Sequence, residues 1–372
     1  VQEVEEYRTD VRVVNLSLLN TDWYIEQVRR KAYDSDALPL SISQKKYRQG
    51  TNDYLPVVDR KELSGYTDVE KVIDFVLSDN PQTKVPVGSG ESINFVPTKR
   101  LRVKVNKEKL LKDGTIKPED ADKMVDYIEW SVKGSYILKN DLAVLDLLAT
   151  SDWDRPIYFA STTGPDSYIG LENYFRQEGM AYRLVPIKAE RGQDGNPGFV
   201  DSDILYTNVM EKFQWGGMDK NDIYMDETNR RMTMSLRILF NRLATQLIEE
   251  KDNEKAKEVM DKAFEVMPDK TVPYDIFAMF LVENYYRLGE FEKANVITAR
   301  IVDIFSKDVA YYNSLKPELQ AAFRNDQQQA MGVLQRLYQM VSQQYPQSPE
   351  FQKEIENKIA PYFNTGIRQQ DR

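Results

Sequence analysis

The sequence predicts two architectures in series. The first is an α/β domain, a Rossmann-like mixed or parallel sheet with flanking helices; the second is an all-α domain of tetratricopeptide-like hairpins. Three observations carry this. Short apolar strands alternate with amphipathic helices up to about residue 205, the strand signal then stops, and small residues begin to recur at the spacing of a helix-pair repeat. The expected division is 1–205 for the α/β domain, 206–235 for a linker and 236–372 for hairpins with capping helices. A chain of 372 residues is too long for one ordinary core, which agrees with two domains.

Residues 11–17 read as a strand, with Val11, Val13, Val14, Leu16 and Leu18 dense enough for burial on both faces. A helix follows from Thr21 to Tyr33, with Asn20, Thr21 or Asp22 as its cap and Trp23, Ile25, Val28 and Ala32 on its apolar side. The stretch 34–66 is polar and reads as a long connection. "TDVEKVIDFVLSD" at 67–79 pairs Thr67 with Glu70 at capping-box spacing and opens a helix. "SINFVPTKRLRVKV" suggests a hairpin turning near Pro97-Thr98. Helices are expected at 118–130, opened by Pro118, and at 140–149; strands are expected at 155–162 and 181–188, and "ERGQDGNPG" is a surface turn.

In the second half, Ala244 fits the first close-approach position of a repeat. Ala256, Met260, Ala263 and Pro268 follow at offsets of 4, 7 and 12 from Ala256. A second unit carries Gly289, Ala294, Thr298 and Ile301. Its key alanine stands 38 residues after Ala256 instead of the usual 34 or so, and extra residues around Lys270 to Pro273 absorb the difference. Helical pattern continues from Pro317 to Gln344 and more weakly to Ala360.

Composition excludes several functions. No apolar run approaches the roughly 18 to 20 residues of a membrane-spanning helix. The net charge of −9 argues against a nucleic-acid partner. The basic stretch 97–109 reads as the solvated face of a strand, because Leu101, Val103 and Val105 alternate within it. With no Cys there is no disulfide, thiolate nucleophile or cysteine metal site. With no His there is no Ser-His-Asp chemistry and no His-ligated zinc. No catalytic residue, metal ligand or cofactor is assigned. Absence of cysteine suits an extracytoplasmic location.

Two joints are candidate binding sites, since strand ends and helix starts converge at such places. One is Asn20-Thr21-Asp22-Trp23. The other lies in "TSDWDRPIYFASTTGPDSYIGLENYF", where Asp154, Arg155, Ser161, Thr162, Thr163, Tyr168 and Glu172 gather carboxylates, hydroxyls and aromatic faces suited to a sugar or phosphate. The competing reading makes the aromatics core and the hydroxyls helix caps. "DKNDIYMDETN" from Asp219 is no EF-hand loop, because Tyr224 and Arg230 stand where Gly and Glu are needed; it reads as a polar loop capping the next helix. "GSGES" at 88–92 lacks the third glycine and the strand-to-helix context of a phosphate loop.

Four blocks, "RTDVRVVNLSLLNTDWYIEQVRRKAYDSD", "KNDLAVLDLLAT", "WDRPIYFAST" and "GLENYFRQEGMAYRLVPI", together resemble a bacterial family of large polytopic membrane proteins. Its members look like protein O-mannosyltransferases in their membrane half, with a C-type glycosyltransferase fold, and continue into a soluble C-terminal region. The resemblance spans most of residues 1–340 and implies that this chain is that C-terminal portion, on the periplasmic face of the inner membrane. The fragment-like start "VQEVEEYRTD" fits, and the family places one more strand just before it. The family's catalytic carboxylates belong to membrane-half loops, so none maps onto a residue here. The expected function is a non-catalytic accessory domain whose partners are its own membrane half and an acceptor protein or glycan. The alternatives are a carbohydrate-active or nucleotide-sugar-binding α/β domain using both joints, and a purely structural scaffold.

Overall fold

The computed structural model describes residues 8–88, 90–189, 195–220, 223–346 and 348–363. The expectations for "VQEVEEYRTD" and "ERGQDGNPG" lie largely outside the described residues. The chain divides into two compact units, Val1–Gln177 with Ala181–Phe199, and Glu178–Met180 with Val200–Arg372. An α/β region with mixed sheets is followed by an all-helical region over residues 227–363.

The α/β unit contains helices α1 (Asp22–Val28), α2 (Gln44–Tyr47), α3 (Val69–Leu77), α4 (Lys107–Lys112) and α5 (Lys139–Thr150). Its strands are β1 (Tyr54–Pro56), β2 (Thr67–Asp68), β3 (Lys84–Pro86), β4 (Ser92–Asn94), β5 (Arg100–Lys104), β6 (Tyr127–Ser131), β7 (Tyr136–Leu138), β8 (Tyr158–Ala160), β9 (Phe175–Gln177) and β10 (Ala181–Leu184). The two-residue β11 (Phe199–Val200) falls at the division between the units. The sheets are small and separate. β5 pairs in parallel with β2 and antiparallel with β6, β1 pairs with β7, β3 with β4, and β10 lies between β8 and β9.

The helices α3 and α5 follow their apolar periodicity. Val69, Val72, Ile73 and Val76 bury one face of α3, and Leu142, Leu145 and Leu148 bury α5. The two helices pack together. In β5 and β6 the cross-strand pairs Leu101 with Trp130 and Val103 with Ile128 form the inner face, while Arg102 faces Glu129 on the outer. Arg102 also pairs with Asp68 at 2.8 Å and lies 4.4 Å over the Tyr127 ring, so the strand part of the basic stretch turns this charge outward, while Lys107 and Lys109 belong to α4.

Several local expectations are corrected. Residues 11–15 join no sheet among the described residues; Val13 is 65% exposed, and the first regular element is a 3-10 turn at Leu18–Asn20. A β-branched run makes a strand only where a partner edge receives it. The helix expected to reach Tyr33 ends at Val28. Ala32 and Ser35 exchange two backbone bonds of 3.0 Å around Tyr33, whose positive φ of 54° reverses the chain. Thr67 lies in β2, leaving Asp68 at the N-cap of α3. The hairpin at 92–105 does not form: β4 pairs back to β3, and β5 pairs with β2 and β6. The helix expected over 118–130 is a 3-10 turn at Pro118–Lys123 followed by β6, in which Ile128 and Trp130 alternate inward with period two.

The helical unit contains α6 (Ser202–Thr207), α7 (Glu227–Glu249), α8 (Asn253–Val266), α9 (Ile276–Arg287), α10 (Phe291–Ser314), α11 (Pro317–Ala322), α12 (Arg324–Gln339) and α13 (Pro349–Phe363). Ala244, Ala256, Met260, Ala263, Ala294, Thr298 and Ile301 are all buried, as close helix-pair packing requires. Gly289, with φ of 77°, makes the turn between α9 and α10. The residues added between the first two hairpins are held by Arg237 on α7. Its guanidinium donates to the carbonyls of Val272 at 2.7 Å and Pro273 at 2.8 Å, and pairs with Asp275 at 2.9 Å. Asp275 in turn accepts from the Phe277 and Ala278 amides and so caps α9. Asp226 caps α7 through the Asn229 amide at 2.8 Å; the rest of that acidic loop, Asn221 and Asp222, lies outside the described residues.

Candidate functional site

The first joint is occupied by structural hydrogen bonds. Asn20 accepts through Oδ1 from the Asn140 amide at 3.1 Å, so it caps α5 and not the helix that follows it. The Thr21 hydroxyl donates to the Leu18 carbonyl at 2.7 Å. Asp22 accepts from the amides of Trp23 at 2.7 Å and Gln49 at 3.4 Å. Trp23 is 57% exposed and makes a T-shaped contact with Tyr24, the ring centroids 5.6 Å apart.

The second group is dispersed over four surroundings. Asp154 forms an ion pair with Lys109, whose amino group also donates to the Asp152 carbonyl at 3.2 Å. The hydrogen bond from Lys109 to Asp154 raises the lysine above its ordinary value. Arg155 reaches the Asp36 carbonyl at 3.1 Å and the Ser35 hydroxyl at 2.9 Å. Ser161, Thr162 and Thr163 follow β8, and Tyr168 donates to the Thr163 carbonyl at 2.7 Å. Tyr168 packs within 6.2 Å of the rings of Phe159, Phe175 and Tyr182, and burial pushes its phenol up to about 12. Glu172 pairs with Lys133 through one oxygen; its other oxygen, and the Ser161 hydroxyl, are buried and have no hydrogen bond among the described residues. Among the described residues no hydrogen bond or ion pair joins the Asn20–Trp23 group to the Ser161–Tyr168 group.

Of the expected residues, Arg155 alone lines a recess in the α/β unit. Ile128, Leu148 and Leu184 form part of its apolar wall; Trp130, Trp153, Thr115, Ser151 and Arg183 supply aromatic faces and hydrogen-bonding groups, and Asp113 is its carboxylate. The recess encloses about 510 Å³, open solvent included.

The elements that build the recess come from distant parts of the chain. β6 delivers Trp130, which is 4% exposed and whose indole N–H has no hydrogen-bond partner among the described residues. Gly170 lies against that ring: a Cβ there would stand 3.2 Å from the Trp130 Cδ1 and 2.3 Å from the Ser131 carbonyl oxygen. Arg183 on β10 donates to the Thr115 hydroxyl at 2.6 Å and lies 5.7 Å from the Tyr158 ring centre. Trp153 donates from its indole nitrogen to the Lys104 carbonyl at 2.9 Å. Asp152 and Trp153 are successive non-glycine residues in the left-handed region, with φ of 40° and 60°. Sequence reasoning missed Trp130 because its segment looked helical; the inward alternation of Ile128 and Trp130 was the available signal. Among the described residues no cluster of three or more acidic side chains is placed to hold a metal ion.

In the helical unit, α7, α9 and α12 occupy equivalent positions, each the first helix of a hairpin. Asn284 on α9 donates to Asn241 and Thr245 on α7, both at 3.0 Å, and Glu283 on the neighbouring side of α9 accepts from Arg336 on α12 at 2.8 Å. The α9 face between these links carries the exposed Phe280 and Arg287.

Small mixed sheets with flanking helices, followed in sequence by helical hairpins, define the class of the chain by its architecture and name no single chemistry. Its family is given by its sequence: the family model described as TMEM260-associated domain 2 matches residues 1–204, more than half of the chain, and the chain belongs to that family. No curated protein and no solved structure matches the chain. Among the described residues no helix is long and apolar enough to cross a membrane.

Proposed function

We propose that the chain is a non-catalytic, extracytoplasmic accessory module of a bacterial membrane protein that is O-mannosyltransferase-like, with a C-type glycosyltransferase fold in its membrane half. In this reading the α/β unit serves that membrane half, and the helical unit offers a surface to an acceptor protein or glycan. Membership of the TMEM260-associated family supports the context. The observation that carries the binding role is the α9 face, where Phe280 is 38% exposed beside Arg287 between links to α7 and α12. Repeat arrays present extended partners with such first-helix faces.

The test is a photo-crosslinking residue at position 280 of the full-length membrane protein in its own cells, with Arg287→Glu added as a second change, and Phe280→Asp made separately without the crosslinker. The expected result is one defined crosslinked partner, lost when Arg287→Glu is added, with a changed glycoprotein profile in both variants. No crosslink at position 280, together with an unaltered profile in both variants, overturns the reading.

A further inference from the structure

We propose that the α9 face takes an extended acidic segment of a protein, with one carboxylate paired to Arg287 and an apolar neighbour lying on Phe280. This names the partner chemistry of the surface proposed above and rests on that reading for the choice of face. The first observation is charge. Arg287 is exposed, and its one hydrogen bond among the described residues goes to the Asn284 side-chain oxygen at 3.0 Å, a neutral acceptor. The rest of its five N–H groups remain for a partner. Arg336 on α12 pairs with Glu283 on α9 at 2.8 Å. The three charges act together on Tyr345, beyond α12: burial raises its phenol above the ordinary value, Glu283 adds to the rise, and Arg287 and Arg336 oppose it. Two guanidinium groups therefore share one carboxylate, and a single surplus positive charge is left in a chain whose net charge is −9.

The second observation is geometry. The Asn284 side chain is 3% exposed; its nitrogen donates to Asn241 and Thr245 on α7, both at 3.0 Å, and its oxygen holds Arg287. The guanidinium is thus tied through Asn284 to the neighbouring hairpin, so less side-chain freedom is lost when a partner binds. A cation in the last turn of a helix suits the helix dipole, but that alone calls for no buried amide beneath it. Phe280, 38% exposed, stands two turns before Arg287, roughly 10.5 Å along the helix. Residues three apart in a polyproline-type segment lie on one side, about 9 Å apart. A carboxylate and an apolar side chain at that spacing meet both groups. Arginine's planar fork matches a carboxylate, and one carboxylate balances the surplus charge. A phosphomonoester brings nearly two charges, and an uncharged glycan brings none.

Peptide selection tests it. A random dodecapeptide library on phage is selected against the immobilised 372-residue chain and, in parallel, against Arg287→Glu. The expected result is enrichment of peptides with Asp or Glu about three residues from an aromatic or aliphatic side chain. Against Arg287→Glu, Lys or Arg should replace the acidic residue. A synthetic copy of the leading peptide, followed by fluorescence anisotropy, should bind at least tenfold more weakly to Arg287→Gln and to Phe280→Ser. Arg287→Lys, which keeps the charge, should retain part of the affinity and guards against loss of folding in Arg287→Gln. No enrichment, enrichment without acidic residues, or acidic peptides selected equally by Arg287→Glu overturns the proposal. The two readings fail separately. Acidic selection without a crosslink at position 280 in cells refutes the accessory role and leaves the carboxylate site standing; a crosslink without acidic selection does the reverse.

Discussion

Asp146, fully buried in the middle of α5, should be the most sensitive single side chain of the α/β unit. Its Oδ1 accepts from the Ser41 amide at 3.0 Å and the Ser41 hydroxyl at 2.6 Å; its Oδ2 accepts from the Ile42 amide at 3.0 Å and the Tyr47 phenol at 3.1 Å. Four donors from residues 41–47 thus converge on one carboxylate. Asp146→Asn keeps an oxygen for the Ser41 pair and sets an N–H against the buried Ile42 amide. The Tyr47 phenol can turn and accept, but the Ile42 donor is orphaned, at about 1–3 kcal/mol. Weakening the two remaining charged bonds to neutral ones adds about 1 kcal/mol, so a loss of about 3 kcal/mol is expected. In a unit of this size that lowers the midpoint by roughly 6–12 °C. Ser41→Ala removes one bond at an exposed position and should cost only about 1 kcal/mol. Thermal unfolding followed by tryptophan emission reads the effect, since Trp23, Trp130 and Trp153 all lie in this unit. Transitions are fitted separately, because two units break the two-state assumption. An Asp146→Asn midpoint equal to that of Ser41→Ala would refute the argument that the second oxygen holds the loop.

Other perturbations separate steric from conformational and ionic causes. Gly170→Ala forces a Cβ to 2.3 Å from the Ser131 carbonyl at φ of 94°, so it should cost roughly 3 kcal/mol or more and disturb the Trp130 ring. Gly289→Ala keeps a positive φ of 77° but meets open space, and should cost only the left-handed penalty of about 1–2 kcal/mol; equal urea midpoints for the two variants would contradict this. Arg237→Met strips the bonds to Val272 and Pro273 and leaves Asp275 without its cation, for a loss of about 3–5 kcal/mol in ellipticity-monitored denaturation. Burial also pushes the phenols of Tyr168 and Tyr286 up to about 12, above the roughly 10 of an unfolded chain. The unfolded state then loses these protons first, so their contribution is complete below about pH 10 and is lost as pH rises toward 12. Absorbance at 295 nm should therefore rise together with loss of ellipticity; ionisation of all tyrosines near pH 10 with the fold intact would contradict the burial argument.

What was legible in the sequence was local. α5 and the repeat helices were visible because burial of one helical face leaves a 3.6-residue period, and the repeat alanines stand where helix pairs touch. Pairing was not legible. β5 finds its partners at residues 67–68 and 127–131, and nothing within "SINFVPTKRLRVKV" distinguishes those edges from a hairpin with its own neighbour. The polar triplet at Asn20 looked like the cap of the next helix, and Asn20 instead caps α5 across 120 residues of chain. A side-chain acceptor is recognisable in sequence; the amide it serves is not.

The same distinction explains where the functional surfaces lie. A joint built from consecutive residues is easy to see, and here its hydrogen-bonding capacity is largely used on the backbone around it. The recess draws on β5, β6, the end of α5 and β10, so its lining exists only after folding. The α9 face rests on different residues in the other unit. Arg287→Glu should therefore abolish the position-280 crosslink while leaving the thermal midpoint of the α/β unit unchanged, and Asp146→Asn should do the reverse. Were both readouts lost together in both variants, the cause would be the stability of the chain, and the α9 face could not be credited with a function of its own.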